Sequence, residues 1–176
     1  MKRIVINLNE SGSIQVAIDE INRLQQSIYS KEVELLTALK DLGYQTIDAY
    51  TVAAKNYDKT ISTGYYIMPQ GDGAYTLGIS ITGKDVMFIE FGAGITFNKG
   101  SKYPTDRNNL NYDPSDYGVG TYPGQTHAFD PKGWWYSENG ESIHSYGTPA
   151  AAPLGHADEA ICANALRTAV SVFGSI

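Results

Sequence analysis

Ile14, Ile18, Ile21 and Ile28 recur at helical spacing, while Asp19, Glu20, Arg23, Gln25 and Gln26 fall mostly on the other faces. Ser11-Gly12-Ser13, just ahead, offers a helix N-cap. Val33, Leu36, Leu39, Ile47, Tyr50 and Ala54 form a second stripe, which predicts another helix from about Ser30 to Tyr57. Gly43 lies inside it. A glycine there costs about 1 kcal/mol relative to alanine, so a kink or a close helix crossing is expected. A short β-branched run, Arg3 to Leu8, reads as a strand before the helical pair.

The period changes at Lys59. Thr60 to Ile67 and Ala74 to Thr82 have strand composition, and Gln70-Gly71-Asp72-Gly73 between them makes a hairpin turn. Asp85 is placed to cap a short helix over Val86 to Phe91, closed by Gly92; a continuous third strand is the alternative. From Thr96 to Lys132 neither period persists, and Gly, Pro, Asn, Asp and Tyr dominate. This predicts an extended loop that a neighbouring subunit orders. Trp134 to Ser137 and Ser142 to Ser145 flank Asn139-Gly140 and predict a second hairpin. Pro149 and Pro153 bracket the approach to a last helix, about Ala151 to Phe173.

The expected fold is α+β in a single domain, 1–176. A strand and a long N-terminal helical pair occupy 1–58, a hairpin and short helix 59–95, the Tyr/Gly-rich loop 96–132, and a hairpin plus C-terminal helix 133–176. The sheet is expected to be small and mostly antiparallel.

Composition narrows the function. The 176 residues are 42% hydrophobic and 18% charged, as in a globular protein. The net charge of −6 and pI near 4.9 argue against gripping nucleic acid, which takes a basic surface to replace phosphate counterions. The single cysteine, Cys162, excludes an intrachain disulfide and reads as a small buried residue on a helix. Met1-Lys2-Arg3 precedes only a short apolar run, unlike a secretory signal, and no apolar stretch approaches the roughly 18 residues a membrane span takes. The expectation is a chain that is cytosolic when made, with no membrane partner.

The residues of enzyme chemistry are not at the necessary spacings. His127, His144 and His156 form neither a His-x3-His nor a His-Glu-x-x-His pattern, and none stands with the cysteine. Asp158 and Glu159 beside His156 are accounted for by the positive end of a helix dipole. Gly71-Asp72-Gly73 and Gly92-Ala93-Gly94 lack a phosphate-binding context, and Asp106 with Asn108 to Asp113 lacks the calcium-loop spacing. No catalytic residue, cofactor, metal or small-molecule substrate is therefore expected. Glu90 stands out as one carboxylate in the run Met87 to Phe91. It is either exposed on an amphipathic turn or turned inward to an arginine or to backbone amides, of this chain or of a neighbouring copy. Thirteen tyrosines are many for this length. Tyr103, Tyr112, Tyr117, Tyr122, Phe129, Trp134, Trp135 and Tyr136 sit in or beside the long loop, and such residues are enriched in interfaces.

Three strings follow one another behind the helical region: Phe88-Ile89-Glu90-Phe91-Gly92-Ala93-Gly94, Gly133-Trp134-Trp135-Tyr136, and Gly147-Thr148-Pro149-Ala150. In this order they resemble a family of tailed-bacteriophage neck and tail-completion proteins, described as minor capsid or tail-component proteins. The resemblance covers most of the chain in layout and is best from Val86 to Glu159. Ala93 stands where many members have Thr, and Ala151-Ala152-Pro153-Leu154 is milder than the family's Arg-Pro-Phe or Met-Pro-Met.

The resemblance implies a mixed α/β fold with long N-terminal helices and a structural place in the virion, in the collar between portal and tail. It implies contact with copies of the same chain in a ring, and with neck, portal-side connector and tail proteins. DNA would pass nearby without specific binding. It brings no catalytic residue. The expected subunit contacts are Glu90, Tyr103, Tyr117, Tyr122, Trp134, Trp135 and Tyr136. The alternative is a glycan- or cell-surface-binding module that uses the aromatic loop, since the same side chains stack on sugar rings.

Overall fold

A computed structural model describes residues 7, 10, 12–54, 60–70, 74–94, 127 and 130–174. The fold is α+β: α1 (Ser13–Ala53), β1 (Ile61–Pro69), β2 (Tyr75–Gly83), α2 (Val86–Phe91), β3 (Trp134–Glu138), β4 (Glu141–Ser145) and α3 (Pro153–Phe173). The sheets are two antiparallel hairpins, β1–β2 and β3–β4. The chain forms two compact units, 1–39 with 164–176, and 40–163. The predicted strand at Arg3 to Leu8 lies outside the described residues except for Asn7, as does the 96–132 loop except for His127 and 130–132.

The expected helical pair is one helix of 41 residues. Ser30 does not begin a second helix. Its hydroxyl donates back to the Gln26 carbonyl at 2.9 Å, a bond made inside a continuing helix. Lys31 and Glu34 pair at 2.9 Å one turn further on. At the start, the Gly12 carbonyl accepts from the Val16 amide, while the Ser13 hydroxyl accepts from the Asn7 amide instead of capping. The helix ends at Ala53, short of Tyr57.

In the first unit Ala17 and Val172 are buried. Every residue from Ile21 to Ser30 is exposed, including Ile21, Leu24 and Ile28, which share one helical face.

In the second unit, Ile47 and Thr51 on α1 are buried, with Ala54 just past the helix end. Gly43 permits a close crossing without a break in the helix. A Cβ there would meet Ile79 Cδ1 on β2 at 2.5 Å and Ile161 Cδ1 on α3 at 3.0 Å. Lys40 hydrogen-bonds Asp41 at 2.9 Å and lies over the rings of Tyr44 and Tyr65, at 5.6 and 5.1 Å. The Asp41 bond is the main cause that holds the Lys40 ammonium above its usual pKa.

The β1–β2 register runs from Ile61↔Gly83 to Pro69↔Tyr75. Odd-numbered positions carry Ile61, Tyr65, Leu77, Ile79 and Ile81 on one face. Even-numbered positions carry Ser62, Ser80 and Thr82 on the other. The second hairpin turns on Asn139 (φ 53°) and Gly140 (φ 84°), the two left-handed residues of a type I′ turn.

Thr51 is buried, and its hydroxyl has no hydrogen-bond partner among the described residues. An unsatisfied buried hydroxyl costs about 1–3 kcal/mol, and valine has nearly the same shape. Thr51→Val is therefore expected to raise the unfolding free energy by about 1 kcal/mol, read as a higher urea midpoint at unchanged slope.

Candidate functional site

The strings at 88–94 and 147–155 are brought together by direct hydrogen bonds. α2 is short. Asp85 stands at its N-cap position without a side-chain cap bond, contrary to the sequence reading, and the helix closes where the Gly92 amide donates to the Phe88 carbonyl. Gly92 turns the chain with φ 72°, and Ala93 then pairs with Thr148 as an isolated antiparallel bridge. The Ala93 amide donates to the Thr148 carbonyl at 2.9 Å, and the Thr148 amide to the Ala93 carbonyl at 2.8 Å. The carbonyl of Ile89, itself fully buried, accepts from the amides of Ala151 and Ala152 at 2.9 and 3.2 Å.

The start of α3 explains Glu90. Ala152 has φ 46°, and its carbonyl accepts from the His156 amide, so it is the N-cap residue. Alanine offers no side-chain acceptor, and Pro153 at the first helical position has no N–H. The first orphan donors are the amides of Leu154 and Gly155. Both are met by one carboxylate from another helix: Leu154 donates to Glu90 Oε2 at 2.8 Å, and Gly155 to Oε1 at 3.0 Å. Glu90 thus caps α3 from 64 residues away. Its residue is 7% exposed, so of the two expected placements the inward one holds, with backbone amides of the same chain as partners. Burial raises its pKa, and the two amide bonds lower it by less. The positive end of the helix dipole favours the charge in the same place.

His156 follows the cap. Its ring stacks on Tyr50 at 3.6 Å between centroids, and Nδ1 lies 3.6 Å from Glu159 Oε2. Cys162 is exposed, not buried as its neighbours predicted, with its sulfur 3.8 Å from Asp158 Oδ1. Among the described residues no three His, Cys, Asp or Glu side chains come together as metal ligands.

The aromatic hairpin divides its side chains between two faces. Trp134 packs inward: a Cβ at Gly94 would lie 3.0 Å from its ring. Trp135, on the opposite face, is 68% exposed. It stands 4.7 Å from the cross-strand His144 ring, and His144 stands 4.7 Å from Tyr146, so three rings form an outward ladder. Tyr136 is exposed. Between α2 and this hairpin is a cavity of about 590 Å³, lined among others by Asp85, Phe88, Trp134, Tyr136, Glu138 and Ile143. Of the seven residues expected at a subunit contact, Trp135 and Tyr136 are on the surface, Trp134 is half-buried, and Glu90 is inside. Tyr103, Tyr117 and Tyr122 lie outside the described residues.

Compared with protein-family models, curated proteins and solved structures, the chain matches none.

The reach of Glu90 to α3 was missed from sequence. The signal that could have found it is the Ala-Ala-Pro start of α3, a helix with no capping side chain of its own.

Proposed function

We propose that this chain is a structural virion protein of a tailed bacteriophage, a neck or tail-completion subunit that assembles as a ring of its own copies around the DNA channel. Other neck, portal-side connector and tail proteins are its remaining partners. The observation that carries this reading is that the work of the resembling strings is architectural. Glu90, Ile89 and Ala93 hold the start of α3 and the segment that leads into it, with their hydrogen-bonding groups turned inward. What faces outward is suited to protein contact: the Trp135–His144–Tyr146 ladder and the bare apolar face at Ile21, Leu24 and Ile28. A net charge of −6 suits a subunit past which DNA slides without being held.

The test is joining of heads and tails in a lysate that lacks this protein. Added purified chain restores joined, infectious particles. Trp135→Ala, which removes an exposed ring and leaves the Glu90 and Ala93 hydrogen bonds intact, keeps the wild-type melting temperature but lowers the yield about tenfold or more, as loss of an interface anchor does. Trp134→Ala is a poor surface probe because that ring packs on Gly94. Full joining by the Trp135→Ala protein would remove the ladder from the contact. The same exposed ladder favours one second reading, a sugar-binding face. Wild-type chain that fails to join particles but is retained on immobilised host-surface glycans, with retention lost in Trp135→Ala, would replace the first reading by the second.

A further inference from the structure

We propose that the β1–β2 hairpin is the seam between copies: the outer edge of β1 in one copy pairs with the outer edge of β2 in the next, head to tail. This rests on the ring reading above and names the surface that closes it.

The hydrogen-bond phase of the hairpin fixes which groups point outward. The Gln70 amide donates to the Ala74 carbonyl at 2.7 Å, so positions in phase with Gln70 bond across the hairpin. Those are the even-numbered residues: Ser62↔Thr82, Gly64↔Ser80, Tyr66↔Gly78 and Met68↔Thr76. The odd-numbered residues turn their N–H and C=O groups away. On β1 these include Thr63, Tyr65 and Ile67; on β2, Leu77, Ile79 and Ile81. Pro69, with no N–H to offer, stands at an outward position, where the hairpin loses nothing by it. Among the described residues no third strand joins this sheet.

Apart from Pro69 at the end of β1, these edges lack the usual protection. Natural edge strands are blunted by charge, above all lysine, or are kept short. Here each strand is nine residues long and neither carries a charged side chain. Tyr65, Tyr66, Ile67 and Met68 are exposed in succession, although Lys40 and Tyr44 reach the Tyr65 ring, so the outer half of β1 is largely open to solvent. Tyr66 lies flat over Gly78, where any Cβ would overlap its ring. A two-stranded hairpin of this kind is marginal by itself in water.

A second copy is the occupant that suits both edges. A foreign strand would cover one edge and leave the other bare. The edges of β1 and β2 are equal in length and alike in having no charge, so each is a fitting partner for the other. Rotation about a ring axis keeps every hairpin pointing the same way, so β2 meets the next β1 antiparallel. A head-to-tail contact repeated by rotation closes a ring and leaves no edge exposed.

The test is amide exchange read residue by residue on the full chain, dilute and at a concentration where light scattering shows assembly. In the assembled sample, the outward amides of Thr63, Tyr65, Ile67, Leu77, Ile79 and Ile81 are expected to slow about tenfold or more, while the even-numbered amides change little. Thr63→Pro, which removes one outward N–H and no ladder bond, is expected to keep the monomer fold and lose assembly. Assembly with the outward amides still unprotected overturns the seam and leaves the ring reading standing, as does assembly that survives Thr63→Pro. Protection on β1 alone overturns the head-to-tail arrangement in favour of a symmetric pair. A chain that stays monomeric at every concentration overturns the seam and the ring reading together.

Discussion

Glu90→Ala is expected to lower the unfolding free energy by about 3–4 kcal/mol, because two buried amides lose hydrogen bonds to a charged acceptor, each worth about 1.5–3 kcal/mol. No nearby group replaces it: the N-cap residue is an alanine and the first helical residue a proline. For a chain of this size each kcal/mol moves the melting temperature about 2–4 °C, so a fall of roughly 10 °C is expected. Glu90→Gln keeps one acceptor but turns an amide donor toward a backbone donor. Its expected cost is about 1–2 kcal/mol. A melting curve within about 1 °C of wild type for Glu90→Ala would mean that the carboxylate is not the cap of α3.

The pH dependence has a definite sign. Burial holds the folded-state pKa of Glu90 above its ordinary value. The folded chain therefore binds this proton more tightly than the unfolded chain. Its contribution to stability grows as pH falls through the window between the unfolded and folded pKa values, and declines as pH rises through it. The cap is charged and paired above that window at a net desolvation cost. Wild type is thus expected to gain stability relative to Glu90→Gln on moving down from neutral pH into that window. Urea midpoints of the two proteins at several pH values would show it, and parallel pH profiles would contradict it.

Gly147→Ala is expected to be at least as damaging. Gly147 has φ 92°, in the left-handed region, and a Cβ there would overlap the carbonyl of Ala93. That carbonyl accepts the Thr148 amide and holds half of the bridge between the two strings. The left-handed conformation costs a side-chain-bearing residue about 1–2 kcal/mol, and overpacking adds about 1–3 kcal/mol. The overlap is with backbone, which cannot swing aside as a flexible side chain can. The expected result is a loss of about 4 kcal/mol or unfolding outright, with fast amide exchange at Ala93 and Thr148. A loss under about 1 kcal/mol would show that the bridge gives way cheaply.

The α+β class and both hairpins were legible because their signals are local. Asn139-Gly140 between apolar runs asks for two left-handed residues, and both have positive φ. The helical pair was misread because the apolar residues before and after Ser30 look like two separate stripes, although at 3.6 residues per turn Ile47 falls within roughly 20° of Ile18 on one face of a single helix. Ser30 stands where the second stripe was expected to begin its own helix, yet its hydroxyl bonds back to Gln26 within the turn. Cys162 sat among apolar neighbours but falls on the outer face of α3.

Glu90 was legible as a problem, one charge in an apolar run, and not as a solution. Its partners are 64 and 65 residues further on, and no local period reports a contact at that separation. The chemistry that demanded such a partner was nevertheless present at Ala151-Ala152-Pro153, where a helix begins with no acceptor of its own. The half-burial of Trp134 and the exposure of Trp135 follow from the period of two along a strand, which puts adjacent tryptophans on opposite faces.

The central claim, a ring in the virion neck, is tested most directly by counting copies of the chain in purified particles by quantitative mass spectrometry. The claim predicts roughly six or twelve copies per particle, the stoichiometry of one closed ring, recovered with the neck when heads and tails are separated. Absence of the chain from purified particles, or a copy number that scales with the area of the capsid shell, would contradict it.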